Sequence, residues 1–168
     1  MPSRILITGA NGFLGKAVTY RLSKDRSREI IPLAGREQWD LTKQKHVDYV
    51  LKEFEPDAVV HLPAVCGRIG INREQPGKFM HDNLAMGMNL IESCRKYGKI
   101  EKFVMVGTVC AYPKYTPVPF KEEDLWNGYP EETNAPYGIA KKTLTELLIA
   151  YHKQYGFEST NLIPVNMY

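Results

Sequence analysis

Tyr137 and Lys141 stand four residues apart in the run YGIAK, at the head of a helix-like stretch. On a helix that spacing puts both side chains on one face. An ammonium beside a phenol favours phenolate, so it draws the tyrosine down from its ordinary pKa of about 10. Such a phenol can give a proton to, or take one from, a sugar carbonyl or hydroxyl. The pattern recurs at Tyr20 and Lys24. That pair lies too far along its own helix to face a ligand and reads as packing. What sets Tyr137 apart is the segment upstream. Thr108 stands in GTVCAYPK, directly after a short apolar run, where its hydroxyl can bond the same substrate oxygen as the phenol. Cys110, two positions on, carries a thiol of ordinary pKa about 8.5, a reasonable acid and, if lowered, a usable base.

A second chemical signal is TGANGFLG, where Gly9, Gly12 and Gly15 have the spacing G-x-x-G-x-x-G. Glycines permit the tight turn and the close approach of backbone amides to a pyrophosphate. The helix that follows adds partial positive charge at its N-terminus. Where the next strand ends, a site that prefers NAD usually carries an acid. This chain reads Ala34-Gly35-Arg36. A guanidinium suits a 2′-phosphate, so tighter binding of NADP(H) than of NAD(H) is expected, with Glu37 close enough to weaken the preference.

The elements that must position these groups alternate. Strands are expected at Arg4–Thr8, Glu29–Leu33, Ala58–Leu62, Lys102–Val106 and Thr160–Val165. Helices are expected at Lys16–Lys24, from a Thr42 cap to about Phe54, at Phe79–Tyr97 with Gly98 as its stop, and at Tyr137–Tyr155. A proline- and aromatic-rich loop, Ala111–Pro136, precedes the last helix, and a loop of that length is often functional. The alternation predicts an α/β, Rossmann-type doubly wound parallel sheet with helices on both faces. Ligands then collect outside the carboxyl ends of the strands, at the segments that start at Gly9, Gly35, Pro63 and Gly107.

The chain has 168 residues and a formal net charge of +3, which fits one domain and offers no basic stripe for nucleic acid. No run is long and apolar enough for a membrane span. Strand-like sequence begins at Arg4, so no leader is expected. Cys66, Cys94 and Cys110 are an odd number at spacings that match no zinc motif, so no metal is expected and the setting reads as a reducing cytoplasm. Cys94 reads as helix core. His46 and His152 read as exposed helix positions, His81 as the opening of a helix and His61 as a strand residue, all four structural.

The glycine loop, Thr108 and the Tyr137/Lys141 pair resemble the extended short-chain dehydrogenase/reductases, the superfamily that holds the NAD-dependent epimerase/dehydratase family. GTVCAYPK followed by LWNGYPEETNAPYGIAKK is similar, more narrowly, to members that turn a GDP-4-keto-6-deoxyhexose into GDP-L-fucose. The resemblance spans almost the whole chain and is densest from Gly107 to Lys142. It implies 3,5-epimerisation followed by hydride reduction at C4, with NADP(H) as cofactor and a nucleotide sugar as substrate. It makes Thr108, Cys110, Tyr137 and Lys141 the catalytic set. It implies cofactor contacts at Gly9, Asn11, Gly12, Phe13, Leu14, Gly15, Arg36, Asp40, Leu41, Leu62, Pro63, Ala64, Val106, Tyr137, Lys141 and Pro164. Substrate contacts fall at Thr108, Cys110 and Asn166. It also implies a homodimer through a helix bundle that includes the Tyr137 helix.

The resemblance has gaps. Relatives pair the cysteine with a histidine downstream of N-x-Y-G-P, and this sequence reaches Asn166-Met167-Tyr168 there. None of its four histidines takes that place. Residues 1–168 therefore read as the NAD(P)-binding domain without the C-terminal substrate domain, able to bind cofactor but with little turnover expected. Pro63 replaces a usual alanine and removes an amide donor. Arg68 stands where relatives run Gly-Gly with Gly67. Asn83 matches an asparagine near the active site of many members, though capping or packing explains it equally well. Two other readings stay open: another nucleotide-sugar epimerase or dehydratase that keeps a tightly held NAD, and a non-catalytic dinucleotide-binding module. Net NADPH consumption separates the first from the reductase, and the intact Thr108, Cys110, Tyr137 and Lys141 argue against the second.

Overall fold

The computed structural model describes residues 2–65 and 74–165. Cys66, Gly67, Arg68 and Asn166 lie outside the described residues. The first strand, β1 (Arg4–Thr8), reads RILIT and is buried from Ile5 onward. Such a continuous apolar run is what a strand covered on both faces requires. It pairs in parallel with β2 (Glu29–Leu33) on one side and with β3 (Ala58–His61) on the other. β4 (Lys102–Val106) and β5 (Ser159–Leu162) continue the sheet in the order β2-β1-β3-β4-β5, all parallel.

Alternation along β1 splits the core. Ile5 and Ile7 pack towards α1 (Phe13–Leu22), with Val18 and Leu22 against them. Leu6 points the other way, into the larger core with Val59, Phe103 and Met105. Three helices close that face: α2 (Gln44–Phe54), α3 (Pro76–Tyr97) and α4 (Ala135–Tyr155). They contribute Val47 and Val50, Leu90 and Ile91, and Leu144 and Leu148. The doubly wound parallel sheet with helices on both faces is thus as expected.

Several boundaries differ for local reasons. Both α3 and α4 start earlier than the sequence reading, each with a proline in its first turn. Proline lacks the amide hydrogen that a first turn leaves unbonded anyway, so it opens a helix as readily as it breaks one. Thr42 does not cap α2. Lys43 is the N-cap, and the Thr42 hydroxyl donates instead to Asp40 Oδ1 at 2.7 Å. β3 ends at His61 and β5 at Leu162. Gly98 closes α3 in the left-handed conformation, as expected.

The segment between β4 and α4 is not structureless. It folds a short 3-10 turn at Val109–Ala111 and another at Glu122–Trp126. Ala111, Tyr112 and Leu125 form a small core of its own, with Val109 and Ile163 against it. Among the described residues no helix is long and apolar enough to cross a membrane.

Candidate cofactor and catalytic site

Strand order reverses at β1, whose chain neighbour β2 lies on one side while β3 lies on the other. That leaves a crevice outside the carboxyl ends of β1 and β3. A cavity of about 400 Å³ occupies it, lined by Gly9, Asn11, Gly12, Arg36, Leu41, Pro63 and Ala64 of the expected cofactor set.

The glycine loop is shaped by close approaches. Gly9 has φ +73°, and a Cβ there would lie 3.0 Å from the Pro63 nitrogen. The Pro63 ring therefore sits on the loop. Gly12 donates to the Gly9 carbonyl at 3.0 Å and is the extended N-cap of α1. A Cβ on Gly15 would lie 2.1 Å from the Gly9 oxygen, so only hydrogen fits where the helix crosses the loop. A cradle of backbone at a helix N-terminus, beside a cavity of this size, fits a dinucleotide.

The remaining cofactor expectations divide. Phe13 is 69% exposed and Leu14 half-buried on α1. Asp40 is occupied by Thr42, whose hydroxyl leads in holding its carboxyl below the usual range. Leu62 continues the β3 ladder, its amide donating to the Thr8 carbonyl. Pro164 is half-buried beyond β5. Lys141 is 2% exposed. Its Nζ donates to the carbonyls of Val106 at 3.0 Å and Pro63 at 3.3 Å, bridging the ends of β4 and β3. Beside it, His61 is fully buried on β3 and shares a 2.9 Å hydrogen bond with Thr8. Burial, reinforced by the Lys141 charge, pushes His61 down from 6.5 to about 3, so its ring is neutral.

Thr108 and Cys110 lie at the end of β4. Thr108 caps the turn Val109–Ala111, its Oγ1 accepting the Cys110 amide at 3.2 Å. That bond uses an oxygen lone pair and leaves the hydroxyl hydrogen to another partner. Tyr137 sits half-buried in the first turn of α4. Its neighbour Gly138 explains how the two segments meet: a Cβ there would lie 2.3 Å from the Cys110 carbonyl oxygen. The first turn of α4 thus rests directly on the turn that carries Cys110. Thr108 and Cys110 thus follow β4, while Tyr137 and Lys141 lie on the helix packed against their turn.

Cys94 is core, its thiol pushed up by burial. Tyr20 is 68% exposed, and Lys24 Nζ stands 4.5 Å from its ring centroid. That pair is a surface cation–π contact rather than packing. His46 is half-buried, not exposed, and its Nδ1 accepts the Asp40 amide at 3.2 Å. His81 lies in the second turn of α3, against Asp82, and His152 on α4 faces Glu158.

Asn83 is buried, and its side chain clasps both the amide and the carbonyl of Val65, at 3.0 and 2.8 Å. It holds the chain after β3 against the cavity, which is a structural role. Trp39, Val65 and Met86 also line the cavity, and no motif announced them. Trp39 stacks on Tyr49, with ring centroids 5.9 Å apart. Its position three residues past Arg36 was the available signal.

A glycine turn from β1 into α1, beside a crevice where strand order reverses, defines a dinucleotide-binding α/β domain. The chain belongs to the NAD dependent epimerase/dehydratase family, whose profile matches residues 5–168. It is 38% identical over 165 residues to a GDP-L-fucose synthase of Sinorhizobium fredii (strain NBRC 101917 / NGR234), covering 98% of this chain and 52% of that protein. It is 32% identical to a GDP-L-colitose synthase of Yersinia pseudotuberculosis, covering 98% and 53%. Among solved structures it is similar to MlghC, a GDP-mannoheptose C4 reductase from Campylobacter jejuni with NADP bound. There the TM-score is 0.92 at 29% identity, with 99% of this chain and 52% of that one covered. The chain spans about half the length of the relatives it matches.

Proposed function

We propose that residues 1–168 form the cofactor-binding and proton-transfer domain of an NADP-dependent nucleotide-sugar epimerase/reductase. The substrate is a GDP-4-keto-6-deoxyhexose, epimerised at C3 and C5 and reduced at C4 to GDP-L-fucose. The observation that supports this reading is the seat of Gly138 on the Cys110 carbonyl, which packs the first turn of α4, where Tyr137 stands, against the turn that carries Cys110. A plain reductase has use for the threonine, tyrosine and lysine. A cysteine in the same cluster adds a group for exchanging protons on carbon.

The glycine loop and Arg36 hold the dinucleotide, the guanidinium taking the 2′-phosphate. NADP(H), when bound, supplies the hydride for C4. Tyr137 protonates the C4 oxygen, a positioned proton transfer contributing on the order of 10²–10⁴ in rate. Thr108 bonds the same oxygen and, with the phenol, holds the enolate charge when a proton leaves the adjacent carbon. Cys110 exchanges that proton on one face of the sugar, and inversion needs a second proton-transfer group on the opposite face. Lys141 supplies the positive charge beneath this cluster from its perch on the Val106 and Pro63 carbonyls. The protein acts as a homodimer in the cytoplasm, a setting that suits the free thiols of Cys94 and Cys110.

The test uses enzyme in excess over ketone, so that a slow chain remains readable. Cys110→Ser is expected to reduce a pre-epimerised 4-ketone with NADPH yet lose epimerisation. Unchanged epimerisation would remove Cys110 from the mechanism, and epimerisation without net NADPH consumption would point to a retained NAD.

A further inference from the structure

Arg36 does not meet the cavity unaccompanied. Its Nη2 donates to Asp82 Oδ2 on α3 at 3.1 Å, and its Nε lies 3.9 Å from Asp40 Oδ1. The same Asp82 oxygen accepts Lys78 Nζ at 2.6 Å, and the other oxygen faces His81 Nδ1 at 3.1 Å. Asp82 is 8% exposed at its side chain, whereas Arg36 is 52% exposed and lines the cavity. Burial opposes the charge on Asp82, yet bonds from Lys78, His81 and Arg36 outweigh it and hold the carboxyl well below the usual range. The carboxylate therefore stays charged at neutral pH, bonded to an arginine that lines the cavity.

Two physical consequences follow. A guanidinium offers two forks of parallel N–H bonds, and Nη2 carries one hydrogen in each, so its bond to Asp82 occupies one fork and leaves a phosphate only the other. The formal charges of Arg36, Lys78, Asp40 and Asp82 also cancel, so an arriving phosphate finds geometry but little net field. We propose that Asp82 is a specificity-determining residue of the cofactor site: an internal carboxylate that competes with the 2′-phosphate for Arg36 and so narrows the discrimination between NADP(H) and NAD(H). This rests on the reading of Arg36 as the 2′-phosphate's partner. Lys78 moderates the competition by sharing the same Asp82 oxygen. NAD(H), with a free 2′-hydroxyl, does not depend on winning the guanidinium.

The test is calorimetric titration of NADPH and NADH into the wild type, Asp82→Asn, Lys78→Gln and Arg36→Met. Asp82→Asn keeps the side-chain volume and is expected to bind NADPH about three- to tenfold more tightly, with NADH within about twofold of wild type. Lys78→Gln leaves Asp82 more fully to Arg36 and is expected to weaken NADPH by a similar factor. If Asp82→Asn instead weakens NADPH, Asp82 orients the guanidinium rather than competing for it, and the proposal falls. Unchanged NADPH binding overturns it too. Should Asp82→Asn fail to fold, Lys78→Gln decides: NADPH binding unchanged or tighter overturns the proposal. Arg36→Met separates the two levels. If it leaves the NADPH-to-NADH ratio untouched, the reading of Arg36 itself is wrong. If it collapses a ratio that Asp82→Asn cannot move, only the role of Asp82 is.

Discussion

Replacing Gly15 with alanine tests the glycine cradle with one methyl group. The new Cβ would fall 2.1 Å from the Gly9 carbonyl oxygen and 2.7 Å from the Ala10 Cα. Ordinary carbon–oxygen contact is roughly 3.3 Å, so the loop or the helix must give by about 1 Å. Alanine in a helix interior is favoured over glycine by about 1 kcal/mol. Overpacking a tight contact costs about 1–3 kcal/mol, so the net effect on stability is a loss of up to about 2 kcal/mol. Cofactor affinity suffers more, because the displaced atoms are those of the phosphate loop. Gly9 bonds Gly12 and lies against Pro63, so the shift spreads along the cradle. Losing one or two charge-assisted backbone bonds, at about 1.5–3 kcal/mol each, weakens NADPH on the order of 10- to 100-fold or more. Calorimetric titration with parallel urea denaturation reads both effects. Gly77→Ala is the control, since a Cβ there meets nothing within 4 Å; it should leave NADPH binding unchanged and stability equal or higher. A Gly15→Ala protein that binds NADPH like wild type would refute the claim that this contact shapes the cofactor site.

The other predictions concern the supports of the site. Asn83→Ala strips the clasp from the Val65 amide and carbonyl; a loss of about 1–3 kcal/mol in denaturation, with weaker NADPH binding, is expected. His61 stays neutral in the folded chain down to about 3, while the unfolded chain protonates it near 6.5. Its contribution is therefore present above pH 6.5 and is lost as pH falls through that window. Between about pH 6.5 and 5, where most carboxylates remain ionised, His61→Asn should flatten the fall in denaturation midpoint. Lys141→Met removes the second cause of the shift, so the His61 ring, followed by NMR, should titrate higher than about 3 yet below its ordinary 6.5.

Much of the site was legible because its parts are local. β1, β2 and β4 carry the bounds expected from their apolar runs, and the loops after them bear the glycines, Arg36 and Thr108. The early starts of α3 and α4 were hidden by prolines, which mark a helix's first turn and its end alike. The link between Arg36 and Asp82 joins residues 46 apart, and no periodicity signals such a contact. Asn83 was recognised as a position but not as a clasp, because its partner is backbone. Lys141 was expected to act on Tyr137 and to contact the cofactor. Its bonds to the ends of β3 and β4 came into view only with the sheet. Gly138 drew no comment as a sequence letter, yet its missing side chain is what lets α4 meet Cys110.

The cofactor crevice is the foundation of the account, and comparative titration tests it most directly. The 168-residue chain is titrated with NADPH and with NADH, alongside Arg36→Met. The account predicts saturable one-to-one binding, tighter for NADPH, with that advantage lost in the variant. Binding of neither dinucleotide, or NADH bound as tightly as NADPH by the wild type, would contradict it.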